Sequence, residues 1–487
     1  MEFDPNIEGY HTSDKSSFAY ASAHERWSII VAGAISDVSR TVAALDDVQA
    51  TAEGEKIIKG LHSLQSEIAA DLKLSPLPDD GTTDIAQYNQ ELAQRDPSWL
   101  HVSWLYGECY LYKRIQCLFL RYGKWNDYDI FAHQKISTFK SSKSAIIELA
   151  TRYRTIVSDS MAKDMTSEMA IFTEMCEICL WGNATDLSLL TSLTYEEIQK
   201  LQGAEARKTQ KKNILINDIP AAFDALKQTQ CENAGGARVD IVLDNAGFEL
   251  YVDLILAGYL LSTGLAKKVV LHPKSFPWFV SDVLPTDLTD LISALSEPGM
   301  FFAMEESNEN SDSKPSMSRR EKDDLLFLSG QWKGFIRSGK LSMREDPFWT
   351  TAGSYWRLPH MAPDLFKELR ESDLVLFKGD LNYRKLTGDV CSSFPKLKFS
   401  QLQRLIVLYK VKWETTTPFS EAIGPLGKGS GVRTLALRTC KADVVVGLAE
   451  GEDERLREAY DGNFTGARTW AWTGKWAVIS FCDGKSG

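Results

Sequence analysis

The sequence predicts an α/β protein in which a mostly parallel sheet, covered by helices on both faces, comes after an all-helical N-terminal region. Three observations predict it. Residues 1–205 carry apolar side chains at mixed three- and four-residue steps, with no alternating strand pattern. Beyond the polar, basic stretch Ala206–Asn213, short runs rich in β-branched residues alternate with helical ones. Finally, the apolar run Val239–Leu243 ends abruptly in Asp244, Asn245 and Gly247, the pattern of a buried strand feeding a helix.

In the N-terminal half the apolar spacing predicts helices around Ala21–Leu45, Glu55–Leu72, Trp99–Tyr122 and Ser141–Ser158, with Ser75–Gly81 a loop on its Pro, Asp and Gly content. Trp104, Tyr106, Tyr110 and Tyr112 read as an aromatic-rich helix packing on its neighbours rather than as a binding face. In the second half, strands are predicted at Arg238–Leu243, Lys268–His272, Asp373–Phe377 and Val432–Arg438. The division falls at residue 205, giving a helical domain 1–205 and an α/β/α domain 206–487. Glu305–Arg320, polar and rich in Ser and Asn, reads as a mobile loop (305–320). Val390–Lys410 reads as an atypical insertion (390–410), a retained intron or a genuine lineage-specific addition, lying beside Arg384.

A formal net charge of −11 argues against general nucleic-acid or anionic-membrane binding, and 44% hydrophobic residues is ordinary for a soluble globular chain. The opening Met1-Glu2-Phe3-Asp4-Pro5 lacks the basic start and apolar core of a signal peptide. The most apolar helix candidate, Leu250–Leu265, is interrupted by Asp253 and is short for a bilayer. The expected setting is the cytoplasm, with the nucleus left open. Eight cysteines in a chain of this length make no disulfide framework. Cys176 and Cys179 form a CxxC pair on helical apolar spacing with no second pair nearby, and are read as buried helical thiols. Asn183-Ala184-Thr185 matches a glycosylation sequon that is without consequence in a cytosolic protein.

In a parallel sheet, ligands bind beyond the carboxyl ends of the strands, so the residues following each strand are the ones to collect. The first strand yields Asp244 and Asn245, with Gly247 and Glu249 opening the next helix. The second yields Phe276–Asp282, ending in another acid; the third yields Phe377–Lys385; the fourth yields Arg438–Lys441. Acids dominate the first two clusters, cations and amides the last two. That division suits a metal-assisted reaction on a phosphorylated substrate, in which carboxylates hold a divalent cation while Arg and Lys neutralise phosphate oxygens. Each cluster also has a plainer reading. Asp244-Asn245 could be an Asx turn, Asp282 a helix cap, and Lys378, Arg384 and Lys385 a solvated basic turn.

Several ordered motifs carry a family resemblance. These are Asp244–Glu249, Phe276–Asp282, Phe377–Leu386 and the Arg-Thr-x-Lys element Arg438–Lys441, with Trp181–Leu189 and Tyr355–His360. Together they resemble the damage-control phosphatase family, which includes proteins first described as acidic-residue (protein-glutamate) methyltransferases. The resemblance implies a helical N-terminal domain beside a Rossmann-like α/β/α domain. It also implies metal-dependent hydrolysis of small sugar phosphates, fructose 1-phosphate and fructose 6-phosphate among them, supported by manganese foremost and by cobalt or nickel. Carried over by position, Asp244, Asn245 and Asp282 would hold the metal, while Asp244, Asn245, Asp380, Leu381, Asn382, Tyr383, Arg384 and Lys441 would contact substrate. Glu249 and Asp282 match positions assigned to S-adenosylmethionine in the methyltransferase description.

These residues suggest a division of labour. Lys441 and Arg384, with the helix starting near Gly247, would stabilise charge on the phosphoryl oxygens, and Asp380 would hold a sugar hydroxyl or protonate the leaving oxygen. Whether Asp244, Asp380 or a metal-bound water meets phosphorus first stays open. The competing class is a carboxyl methyltransferase, for which the loop after the first strand offers a single glycine. A non-catalytic scaffold is the third reading, in which the strand-end acids cap helices and bind nothing. The oligomeric state is not legible in the sequence.

Overall fold

A computed structural model describes residues 3–5, 9–79, 81–82, 84–158, 164–182, 211–232, 236–303, 317–390, 413–460 and 467–485. Its centre is a seven-stranded sheet: β1 (Ile214–Asn217), β2 (Ala237–Val242), β3 (Ala266–His272), β4 (Leu341–Met343), β5 (Leu374–Lys378), β6 (Arg433–Thr439) and β7 (Ala477–Asp483). The spatial order is β1-β7-β6-β5-β2-β3-β4. The pairs β2–β3, β2–β5, β3–β4, β5–β6 and β1–β7 are parallel; β6–β7 is antiparallel. The mostly parallel α/β class read from the sequence is therefore the one observed.

The chain leaves β2 toward β3 and β4 on one side and returns on the other side through β5 and β6. The order reverses between β2 and β5, which makes their carboxyl ends a topological switch point, the place where sheets of this kind bind ligands. β5 is buried along its whole length, as parallel central strands are when helices cover both faces. Alternate residues feed two cores: Val375 and Phe377 point into one, Leu374 and Leu376 into the other.

The N-terminal helices serve both faces. Helices Trp27–Ala43, Val48–Ala69 and Trp104–Phe119 supply the first core with Val31, Ile57 and Leu111, next to Val242 and Phe377. Helices Lys143–Ser158 and Met165–Gly182 supply the second with Ile146 and Leu180, around the helix Phe248–Ser262. That last helix is buried from Phe248 through Leu261, which explains an apolar run with no hydrophilic face. Among the described residues no helix is long and apolar enough to cross a membrane.

The expected boundary at 205/206 lies outside the described residues, as do 183–189 of the motif that begins at Trp181, residues 305–316 of the expected loop and 391–410 of the expected insertion. The end of the loop expected to run to Arg320 is visible, and it is ordered. Ser318 accepts from Glu321 N while Glu321 accepts from Ser318 N, a capping box that starts the helix at Arg319. Cys176 and Cys179 are buried in one helix with their thiols reduced, and burial pushes both thiols far above the usual range.

Candidate active site

The first corner of the site is built where β2 stops. Leu243 N still donates to the His272 carbonyl (3.1 Å), and then Asp244 and Asn245 leave the sheet. Neither residue caps the following helix, whose N-cap position belongs to Gly247. Gly247 has φ of +64°, and a Cβ there would approach the Lys135 carbonyl to 3.3 Å, so the turn into the helix needs glycine. The Asp244 and Asn245 side chains are thereby left for other work.

The Asp282 loop closes on this corner. Val283 N donates to the Asp244 carbonyl (2.8 Å), Ala246 N donates to the Ser281 carbonyl (2.6 Å), and Asn245 and Asp282 pair as an antiparallel bridge. Just before it, Phe279 and Val280 adopt φ of +43° and +66°. Left-handed backbone at a β-branched residue costs on the order of 1–3 kcal/mol and persists only where packing enforces it. Here Tyr112, from the helix Trp104–Phe119, stacks on Phe279 with centroids 4.8 Å apart. Asp282 is not the cap of the next helix: Leu284 occupies that position and donates its N–H to Asp287 (2.7 Å). The Asp282 carboxylate instead meets Lys274, with Nζ 3.2 Å from Oδ2. The same ammonium donates to the Leu243 carbonyl at 2.6 Å, tying β2 to the Asp282 loop.

Within the corner, Asn245 Nδ2 donates to Asp244 Oδ2 (2.9 Å) and to Glu249 Oε2 (2.7 Å), while Asn245 Oδ1 accepts from Ser281 Oγ (2.5 Å). Asp244, Asn245 and Asp282 are all buried. Among the described residues no group of three His, Cys, Asp or Glu is arranged to hold a metal; this set reaches three donors only through the Asn245 amide. Carboxylate, amide oxygen and carboxylate form an all-oxygen donor set, which fits a hard divalent cation such as Mn2+ or Mg2+ better than a thiophilic one.

The second half of the site is the helix Gly379–Thr387, which starts directly from β5. Asp380 is fully buried. Its Oδ1 accepts from Arg438 Nε (2.7 Å) and from Lys441 N (3.1 Å), and among the described residues its Oδ2 has no hydrogen-bond donor. Arg438 uses its remaining donors on the carbonyls of Ala442 (3.0 Å) and Val444, and its guanidinium lies over Tyr383. The Arg438–Lys441 element thus wraps around Asp380, and the two clusters predicted after β5 and β6 meet.

The rest of the predicted substrate segment is engaged with protein. Asn382 Nδ2 donates to the carbonyls of Lys378 (2.7 Å) and Leu243 (3.1 Å), and its Oδ1 accepts from Tyr355 (2.5 Å), so it pins the β5 helix to the end of β2. Burial first, then the charges of Asp282 and Asp244, hold the Tyr355 phenol protonated. The Tyr383 hydroxyl accepts from Val446 N (3.2 Å), and Leu381 lies in the core. Arg384, expected at the phosphate, has other partners. Nη1 donates to Glu108 (3.0 Å), Nε and Nη2 donate to Asp389 (3.1 and 2.9 Å), and the guanidinium stacks 3.5 Å over Trp104. Although burial opposes its charge, Asp389 and Glu108 hold it well above the usual range. The reason lies in the helix Trp104–Phe119, whose Glu108 and Trp104 no local pattern could have matched to residue 384.

Four residues of the site escaped sequence reading as individual ligands: Lys274, Tyr355, Lys378 and Arg438. For Tyr355, Lys378 and Arg438 the signal was membership in the strand-end clusters and motifs, while Lys274 lies between His272 and Phe276 and gave no signal. Lys385 is a fifth. Its ammonium donates to the carbonyls of Thr351 (2.7 Å) and Trp349 (3.3 Å). Burial pushes it down to about 8, with Lys274 and Arg357 adding to the fall and Cys109 and Asp282 opposing it.

A profile of the damage-control phosphatase ARMT1-like domain matches residues 22–456. Proteins named damage-control phosphatase ARMT1 from Xenopus laevis and Homo sapiens are 33% and 31% identical, each over 96% of this chain and 97% of theirs. The Danio rerio counterpart is 32% identical over 96% of this chain and 95% of its own. A solved structure of a DUF89-family protein from Pyrococcus horikoshii covers 69% of this chain and 91% of its own, at 16% identity and a TM-score of 0.33. By the extent of the profile match and the identity to these relatives, the chain belongs to the damage-control phosphatase ARMT1-like family.

Proposed function

We propose that this protein is a metal-dependent phosphatase acting on small sugar phosphates, fructose 1-phosphate and fructose 6-phosphate among them, as a metabolite damage-control enzyme. The observation that carries the proposal is the meeting of Asp244, Asn245 and Asp282 at the carboxyl end of β2, to which Asn382 ties the helix that bears Asp380. Family membership supports phosphoester hydrolysis; the all-oxygen donor set supports a divalent cation, with Mn2+ favoured.

Asp244, Asn245 and Asp282 would hold the cation. When bound, it would supply Lewis acidity to a phosphoryl oxygen and lower the pKa of a water. The protein's own groups do the rest. Lys441, fixed through its backbone by Asp380, is the cation assigned to the phosphoryl oxygens, where charge grows in the transition state. Two helix N-termini, at Gly247 and at Lys378, follow the neighbouring strands β2 and β5 and would add partial positive charge. Asp380, ion-paired with Arg438, presents its Oδ2 as an acceptor, which suits a sugar hydroxyl. Arg384 is assigned the task of anchoring the β5 helix to the N-terminal helices. Burial of these groups away from water strengthens every charge interaction among them.

The test is phosphate release from fructose 1-phosphate by metal-stripped protein, with and without added Mn2+, run beside methyl transfer from S-adenosylmethionine to a glutamate-containing peptide. Mn2+-dependent phosphate release with no methyl transfer is the expected result. Methyl transfer without phosphate release would overturn the proposal in favour of the methyltransferase reading.

A further inference from the structure

Glu249 is a predicted site residue whose carboxylate is held on both sides by buried protein groups. It is fully buried in the first turn of the helix Phe248–Ser262, and its two carboxylate oxygens have different partners. Oε2 accepts from Asn245 Nδ2 (2.7 Å), and Oε1 accepts from Lys378 Nζ (2.8 Å). Lys378, the last residue of β5, is buried too and also meets Asp253 Oδ1 (2.9 Å) and the Cys179 carbonyl (2.9 Å). Cys179 Sγ donates to the same Asp253 oxygen at 2.9 Å. An unbroken chain of contacts therefore runs from Cys179 through Asp253, Lys378 and Glu249 to the Asn245 amide.

We infer that Glu249 is a positioning residue for the cation corner, fixing the Asn245 amide so that its oxygen, not its nitrogen, is turned to the Ser281–Asp282 side. Both N–H bonds of that amide are taken, by Asp244 Oδ2 and Glu249 Oε2, and Oδ1 faces Ser281. Flipping the amide would set its oxygen against two carboxylates. The residue at 249 must accept on both sides, from an amide and from an ammonium. Glutamate does so; glutamine has one oxygen for two donors and presents an NH2 group to whichever it fails to accept from. In this role Glu249 is committed to Lys378 and Asn245, which speaks against its serving as a ligand of a methyl donor. The inference rests on the proposal that Asp244, Asn245 and Asp282 bind a divalent cation.

Mn2+ affinity, read by electron paramagnetic resonance on metal-stripped full-length protein, tests it, with urea midpoints taken on every variant. Glu249→Gln is expected to weaken Mn2+ binding by about 10- to 100-fold, the usual effect of losing a ligand's hydrogen-bond partner. The paired change Lys378→Met with Glu249→Gln removes the competing ammonium, leaves the new amide oxygen to accept from Asn245 alone, and is expected to restore affinity close to wild type. The paired variant removes the Glu249 and Lys378 charges together. It leaves Asp253, whose carboxyl is already pushed up to about 6 by burial and which keeps its Cys179 donor, so it keeps the test alive if the single one fails to fold. Unchanged affinity in folded Glu249→Gln, or weak binding that the paired change does not restore, would overturn the inference. Asp244→Ala separates the two levels: if it binds Mn2+ like wild type, the cation corner itself is wrong, whereas its loss beside an unaffected Glu249→Gln refutes the role of Glu249 alone.

Discussion

The corner after β2 and the helix after β5 are neighbours at the same end of the sheet, yet they handle charge in opposite ways. After β2, Asp244, Asn245 and Asp282 gather oxygens, and Lys274 meets the Asp282 carboxylate. After β5, the strongest cations are matched to acids one for one or better: Arg438 to Asp380, Arg384 to both Glu108 and Asp389. The difference teaches that a charged residue inside a motif says little about what it touches. Arg384 and Asp380 lie one turn apart on one helix, but Arg384 faces the N-terminal helices and Asp380 faces the Arg438–Lys441 element.

The contrast breaks most visibly at Asp244. Asp244→Ala should remove several kcal/mol of transition-state stabilisation, roughly a thousand-fold or more in Mn2+-dependent phosphate release, with the circular dichroism spectrum intact. Turnover equal to wild type would show that the corner is not catalytic. Arg384→Met should do the reverse, because it strands Glu108 and Asp389 in the interior. Breaking a buried pair from one side costs about 3–5 kcal/mol, so the urea midpoint should fall sharply while Mn2+ affinity of the folded protein holds. If stability is unchanged and only substrate binding suffers, Arg384 belongs with the phosphate after all.

Lys441→Met sharpens the same contrast on the activity side. Losing one preorganised charge donor should lower kcat/KM by about 100- to 1,000-fold, with the urea midpoint and Mn2+ affinity near wild type. The smallest effect concerns Lys385, whose ammonium is pushed from 10.5 down to about 8 by burial. Between those two values the unfolded chain binds a proton that the native state does not, so stability rises with pH across the window. The full shift corresponds to roughly 3 kcal/mol, a slope that should be visible in wild type minus Lys385→Met from pH 8 to 10.5 and absent below it. A flat difference would mean that Lys385 stays charged.

Much of this was legible in the sequence, for a physical reason. β2, β3, β5 and β6 are covered on both faces and must be short apolar runs, so their position shows to within a residue or two of Arg238–Leu243, Lys268–His272, Asp373–Phe377 and Val432–Arg438. β1 and β4 are four- and three-residue edge strands with no such requirement, and they went unread. β7 was missed because it lies antiparallel to β6, outside the alternation of parallel strands and helices that revealed the others. Asp244, Asn245 and Asp282 could be collected because strand ends converge in a parallel sheet. The partners of Arg384, Glu249 and Asp282 could not, since Glu108, Lys378 and Lys274 reach them through tertiary packing that leaves no local pattern.

Mn2+ binding to metal-stripped protein, wild type beside Asp282→Ala, is the most direct test of the central claim. The account predicts a saturable site in wild type that is lost when Asp282 is replaced, with thermal unfolding still cooperative in both. The same binding curve for the two proteins would contradict it, because no cation could then be shared between Asp282 and the Asp244–Asn245 corner.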